Sequence, residues 1–397
     1  MVILEKGHWK RFKIWKDVNE TQWKNWKWQI RNRIKSVDEL DKIIPLDKRQ
    51  KEVFIKTTSI YHFGTTPYYL SLIKDFSLKD PVFRQIFPSL EEIDEEIQKE
   101  AFLDPFKEEV KSPVPGLTHR YPDRVLFRAT NFCSVYCRHC MRKRIFLEEE
   151  RARTKEEYEN MFRYIKENKN IREVLISGGD PLTLPNRKIE YILENLYKID
   201  HIDIIRIGSR ELVVNPFRFF DEKLLEIFEK YDKIWLVTHF NHPNEITNIT
   251  KEAVKKILST GTPVLNQTVL LKGINDSEET IEILMRDLLK VKIKPYYLFF
   301  CDPTKGVIHF RTDLKKGIEI LDYLRGRLSG LGIPFYAVDL EGGLGKVPLL
   351  PEYLVRETED FYLLRSYEGH YVKIKKEKKE REGEGGFSKT GAINNCK

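Results

Sequence analysis

A chain of 397 residues, 41% hydrophobic and 12% aromatic, can bury a sizeable core, which sets aside a disordered or fibrous protein. Its 69 basic and 61 acidic residues leave a formal charge of +8, but the two signs are interspersed, so a mixed solvated surface is expected rather than a nucleic-acid face. The opening MVILEKGHWKRF holds too short an apolar run for a signal peptide, and no later stretch suits a membrane span; a cytoplasmic protein without membrane or nucleic-acid partners is expected.

Residues 14 to 115 read as helical and polar, with Trp15, Trp23, Trp26 and Trp28 near their start and proline-punctuated turns near their end. This predicts a helical N-terminal arm or cap over residues 1–118, in which the tryptophans contribute buried area. From about residue 124 short apolar runs alternate with helical periodicity. The expected strands are 125–130, 173–177, 204–208, 234–239, 264–271 and 294–300. Apolar residues at helical spacing follow them, such as Tyr158, Met161, Phe162 and Ile165, or Ile189, Ile192, Leu193 and Leu196.

Six strands, each followed by a helix, imply parallel pairing with right-handed crossovers, and six units fall short of the eight that close a full barrel. The expectation is an α/β protein with a partial, open-sided (β/α)6 barrel over residues 119–334, its chemistry at the carboxyl ends of the strands. A short C-terminal extension over 335–372 begins with a strand at 335–340 and turns through Gly342-Gly343-Leu344-Gly345 to Lys346. Residues 373–397, charged and then rich in glycine and serine, are expected to be disordered.

Three of the five cysteines, Cys133, Cys137 and Cys140, lie within eight residues in the loop after the first strand, while Cys301 and Cys396 are remote. This suits a metal site in a reducing compartment better than a disulfide framework. Three thiolates can hold a four-iron cluster and leave one iron open to a small ligand. A zinc knuckle completed by His139, as in an RNA-binding protein, is the alternative, but a residue adjacent to Cys140 is badly placed to close a tetrahedron with it. After the second strand come Ser177, Gly178, Gly179, Asp180 and Pro181, where glycines allow close backbone approach to a ligand.

The CxxxCxxC spacing resembles the radical S-adenosylmethionine superfamily. The stretches KNWKWQIRNRI, CSVYCRHCMRKR, SGGDPL, RIGSR, THFNHPNEIT, NQTVLLKGIND, PYYLFFCD, HFRT, KGIEI and VDLEGGLGKVP resemble the lysine 2,3-aminomutase family over roughly residues 15 to 370. The resemblance implies an isomerase that interconverts L-lysine and L-β-lysine. Its cofactors would be a 4Fe-4S cluster on Cys133, Cys137 and Cys140, S-adenosylmethionine and pyridoxal phosphate on Lys346. Burial of Lys346 would supply the neutral amine that bonds the aldehyde.

By the same resemblance Arg120 and Arg124 hold the cofactor phosphate, and Arg142 anchors the substrate carboxylate. Ser177, Gly178, Gly179, Asp180, His239 and Gln267 receive S-adenosylmethionine. Asp302 and Asp339 face the distal ammonium of lysine, a pair that glutamate-specific relatives do not keep. An electron donor such as ferredoxin or flavodoxin and a homo-oligomer are also implied. A 2,3-aminomutase of arginine, or of a lysine within a protein, is the alternative within the family. Part of the family carries a zinc site between subunits; Ser277 in place of a loop cysteine, and Cys396 alone near the end, predict none here.

Overall fold

The computed structural model describes residues 1–377. Met1–Leu350 form one compact unit and the residues from Pro351 a second. In the first, nine strands make one sheet in chain order: β1 (Leu117–Tyr121), β2 (Arg124–Thr130), β3 (Glu173–Gly178), β4 (Ile204–Gly208), β5 (Ile234–Thr238), β6 (Val264–Leu270), β7 (Lys294–Phe300), β8 (Phe335–Leu340) and β9 (Gly345–Pro348). Strands β2 through β8 are parallel, and β1 and β9 are antiparallel margins.

The six expected strands are β2 through β7, each followed by a helix, and the strand expected at 335–340 joins them as a seventh parallel member. The two margins meet, because the Lys346 N–H on β9 donates to the Tyr121 hydroxyl on β1 at 3.0 Å. The sheet is therefore a nearly closed barrel.

The crossover helices pack by the residues whose spacing announces them: Tyr158, Met161, Phe162 and Ile165 are buried in the helix Lys155–Glu167, and Ile189, Ile192, Leu193 and Leu196 in Asn186–Tyr197. Side-chain caps satisfy the first free N–H groups. Thr154 and Glu157 form a capping box, and Ser277 accepts from Thr280 N at 3.2 Å to start the helix Glu278–Lys290. The serine that stands where zinc-bearing relatives have cysteine is thus a helix cap; Cys396 lies outside the described residues.

The first hundred residues are built of short helices, of which Lys48–Thr58 is the longest, and much of this segment is core. Phe54, Tyr68, Tyr69 and Phe83 are buried, and Trp9 stacks on Trp23 with ring centroids 4.9 Å apart. Trp26 donates to Asp221 at 3.0 Å and lies under the Arg218 guanidinium, 4.1 Å from its ring centre. The tryptophans therefore pack, as expected.

The second unit holds an antiparallel sheet of β10 (Leu354–Glu357), β11 (Phe361–Arg365) and β12 (Tyr371–Lys375). Strand β12 corrects the expected start of a disordered tail at residue 373: regular pairing runs through Lys375, because Val372 and Ile374 supply the alternation of a strand. Residues 378–397 lie outside the described set. Among the described residues no helix is long and apolar enough to cross a membrane.

Candidate active site

Strand register carries a single face around the barrel. Leu175 pairs with Arg206, Gly208 with Val237, Val237 with Leu265, Val269 with Phe299, Phe299 with Ala337, and Asp339 with Lys346. Side chains alternate, so residues two apart share a face. Ser177, Gln267, Phe299, Asp339 and Lys346 therefore line one face, and His239 follows Val237 in the same alternation just past β5. The opposite face, with Val174, Ile176, Ile205, Leu236 and Leu298, is fully buried. The candidate residues line the barrel interior, and the helices cover the other side.

The cysteine loop leaves β2 and is tied to the segment after β3. Gly179 N donates to Thr130 O and Asp180 N to Phe132 O at 2.8 Å. The glycines are obligatory here: Gly178 has φ 122°, and a Cβ at Gly178 or Gly179 would fall 2.3 Å from a backbone oxygen of Thr130 or Phe132. Across the loop Tyr136 N donates to Gly64 O, and Arg33 lies 4.6 Å from the ring centre of Phe132 and 5.0 Å from that of Tyr136. The N-terminal segment thus forms one wall of the loop.

Cys133, Cys137 and Cys140 are free thiols. Burial pushes Cys133 well up, with Asp180, Cys140 and Cys137 adding to it; Cys140 is pushed up to about 11 by burial and by Cys137. Burial therefore favours the thiol form of Cys133 and Cys140, which a metal would deprotonate. Among the described residues no three His, Cys, Asp or Glu side chains converge as ligands of a single ion would. Thiolates that bind different irons of one cluster do not need to converge. Arg210 donates through Nη1 to the Cys137 sulfur at 2.6 Å, supplying positive charge where thiolates would form. Replacing Cys137 with alanine is expected to leave the anaerobically reconstituted protein folded but short of about four irons per chain; full iron content would remove Cys137 from the site.

Asp180 belongs to the expected ligand set, but its carboxylate is taken up internally. It accepts from Ser209 Oγ at 2.7 Å, Arg210 N at 2.6 Å and Leu182 N at 3.1 Å, and burial lifts it to about 6. These bonds tie the loop after β3 to the loop after β4. His239 packs edge-on to His139 with centroids 5.5 Å apart, is lowered to about 3 by burial and Arg210, and has an unpartnered, buried Nε2. That orphaned nitrogen fits a ligand contact. The Gln267 side chain, on strand β6, makes no hydrogen bond among the described residues.

At the barrel seam, Lys346 Nζ pairs with Asp339 at 2.8 Å and lies 5.3 Å from the Phe299 ring centre. The burial expected around Lys346 is only partial, with about one-third of its side chain exposed, and its environment is an ion pair, because β8–β9 register sets it opposite Asp339. Asp339 also takes Arg120 Nη2 at 2.6 Å, and Arg120 reaches the Tyr121 hydroxyl at 2.9 Å. Arg124 stacks on the Tyr121 ring at 4.1 Å and pairs with Asp123 at 3.0 Å. A lysine, two arginines and a tyrosine at one seam suit an aldehyde-bearing phosphate. The turn before Lys346 needs its glycines at φ 72°, 69° and 107° for Gly342, Gly343 and Gly345. Gly343 is pressed against Phe106 O, 2.4 Å from where its Cβ would be.

Asp302 follows β7 and is lifted to about 7 by burial and by Asp339, against the pull of Lys346, Arg311 and Arg142. No hydrogen-bond donor engages its carboxylate among the described residues. Arg142 is gripped through Nε and Nη2 by Glu108, at 2.9 and 2.7 Å, leaving Nη1 unengaged among those residues. Arg210, Glu108, Tyr121 and Phe299 were not singled out by sequence. RIGSR at the end of β4 and the tyrosine of THRYPDR are local signals for two of them, whereas nothing local marks Glu108.

Comparison with known proteins follows this geometry. Residues 127–284 match the family model of the radical SAM superfamily, and residues 321–390 that of lysine-2,3-aminomutase. The chain is 54% identical over 360 residues to a putative L-lysine 2,3-aminomutase of Aquifex aeolicus, covering 91% of this chain and 97% of that one. It is 43% identical to the L-lysine 2,3-aminomutase of Clostridium subterminale, over 91% of this chain and 86% of that one. It is also 43% identical to a glutamate 2,3-aminomutase of Clostridioides difficile, over 90% and 84%.

Proposed function

The chain belongs to the lysine 2,3-aminomutase family of the radical S-adenosylmethionine superfamily, and from that membership we propose that it interconverts L-lysine and L-β-lysine by moving the amino group between C2 and C3. The family's groups, a 4Fe-4S cluster, S-adenosylmethionine and pyridoxal phosphate, supply the radical and the carrier for the migrating nitrogen when bound. The protein's own residues bind, orient and exclude water.

In this reading Cys133, Cys137 and Cys140 hold the cluster, and Ser177, Gly178, Gly179, His239 and Gln267 receive S-adenosylmethionine. Lys346 holds pyridoxal phosphate, with Arg120 and Arg124 toward its phosphate. Arg142, pre-aligned by Glu108, takes the substrate carboxylate, and Asp302 with Asp339 takes the far ammonium. The helical N-terminal segment and the barrel, which includes the Lys346-bearing strand β9, are its working parts. Three free thiols suit a reducing cytoplasm. We assign reduction to a donor such as ferredoxin or flavodoxin, and a homo-oligomeric assembly, as the resemblance implies.

Overall similarity does not choose the substrate, since lysine- and glutamate-acting relatives stand at the same 43% identity. The acidic pair carries the choice. Asp302 and Asp339 act on each other electrostatically at the Lys346 seam. Arg120 and Lys346 already pair with Asp339, whereas no donor engages Asp302 among the described residues. A substrate ammonium therefore gives the buried Asp302 carboxylate a partner, and a substrate carboxylate would repel it. The test is anaerobic reconstitution with iron, sulfide and pyridoxal phosphate, then assay of lysine, arginine and glutamate. β-Lysine should be the main product; accumulation of β-glutamate or β-arginine without it would overturn the reading.

A further inference from the structure

The run Arg138, His139, Cys140, Met141, Arg142, Lys143, Arg144 carries four basic residues around the last cysteine of the loop. In the fold Arg138 and Lys143 have side chains 0% exposed, and both close on one carboxylate, Glu92, also 0% exposed. Arg138 Nε reaches the two Glu92 oxygens at 3.0 and 3.1 Å, and its Nη1 donates to His62 O at 2.9 Å. Lys143 Nζ donates to Glu92 at 2.5 Å, Arg138 O at 2.9 Å and Gly306 O at 2.6 Å, beside the Tyr61 ring. Three acceptors use all three protons of an ammonium, so the charged lysine is the form the site is built for. Glu92 is held down to about 2 by Arg138 and Lys143 in spite of its burial.

Two buried cations thus share one buried anion. Other cations around the loop are matched by carboxylates: Arg33 has Glu150, Arg210 has Glu245, and Arg128, Arg142 and Arg144 meet Glu108, Glu109 and Asp104. The Lys143 charge lies inside the cysteine loop: Lys143 N donates to Cys140 O at 3.1 Å, and Lys143 Nζ donates at 2.9 Å to the carbonyl of Arg138, the residue that follows Cys137.

We propose that Lys143, seated with Arg138 on Glu92, is a positioning charge that raises the reduction potential of the cluster on Cys133, Cys137 and Cys140. One-electron reduction by a low-potential donor adds a negative charge to the cluster. A fixed positive charge in a medium of low dielectric stabilises that reduced form more than the oxidised one. Lys143 is three residues beyond Cys140 and touches no substrate. The inference rests on the cluster reading and not on the choice of lysine as substrate.

The experiment is a dithionite redox titration of the reconstituted full-length protein, followed by the electron paramagnetic resonance of the reduced cluster. Lys143→Met removes the cation at similar length and should lower the potential, changing the reduction equilibrium about tenfold, about 59 mV for one electron. Glu92→Gln removes the anion and should raise it, and Lys143→Arg should restore the starting value. Mere loosening of the loop would move the first two variants in the same direction. Equal potentials in all forms, or same-sign shifts, overturn the proposal. If Lys143→Met fails to hold iron, Glu92→Gln decides alone, and no positive shift there overturns it. Failure of the unsubstituted protein to take up iron and sulfide would instead sink the cluster reading.

Discussion

Replacing Lys346 with alanine is expected to erase the visible absorbance of bound pyridoxal phosphate and to take β-lysine formation below detection, with folding unaffected. Lys346 is on the marginal strand β9, with its side chain about one-third exposed. Its removal therefore opens no core cavity. Its backbone N–H still meets the Tyr121 hydroxyl, so the seam of the barrel stays closed. What is lost is the amine that lies beside Phe299 and Asp339. Lys111, also at the glycine turn, donates to Gly343 O at 2.6 Å. Lys111→Ala should accordingly keep the absorbance. Absorbance that survives in Lys346→Ala would remove Lys346 from its role.

Asp302→Asn should weaken lysine binding by about 2–5 kcal/mol, roughly 30-fold at the low end, the range for removing one partner of a buried charge pair. It should also change the pH dependence. Burial and Asp339 lift the Asp302 carboxyl to about 7, so below that pH it is largely neutral and attracts an ammonium poorly. Lysine affinity should rise with pH toward about 7 and then level off in the parent, and lose that limb in the variant.

The stability sign runs the opposite way. A carboxyl whose folded value lies above its unfolded one stabilises the fold at low pH and loses that contribution as pH rises from about 4 to about 7. Asn at this position, which never ionises, should therefore melt at a higher temperature than the parent above pH 7. Calorimetric titration with lysine at several pH values, with thermal melts alongside, reads both effects. An Asp302→Asn protein that binds lysine with unchanged affinity and pH profile would separate Asp302 from the ammonium.

Strands and crossover helices were legible because period-two and period-3.6 apolar patterns are local: residues such as Ile189, Ile192 and Leu196 announce a buried helical face without any partner. The same holds for the cysteine spacing and for Gly178 and Gly179, whose backbone contacts exclude any larger residue. Asp180 shows where motif reading runs out. Its position was legible, but its carboxylate turns to Ser209 and the Arg210 N–H, partners thirty residues away.

The α/β class and the cysteine site were legible from spacing within single segments, and the remaining candidate residues came from the resemblance of ordered segments to the family. Only the tertiary structure decided how those residues meet. Sheet register brought Ser177, Gln267, Asp339 and Lys346 onto one inner face, and barrel closure set Tyr121 against Lys346. Burial turned a basic run into charges held by Glu92 and Glu108. The physical reason is the range of the forces involved. Backbone propensity and side-chain alternation act within a few residues, whereas a buried charge takes its partner from whichever segment the core brings beside it.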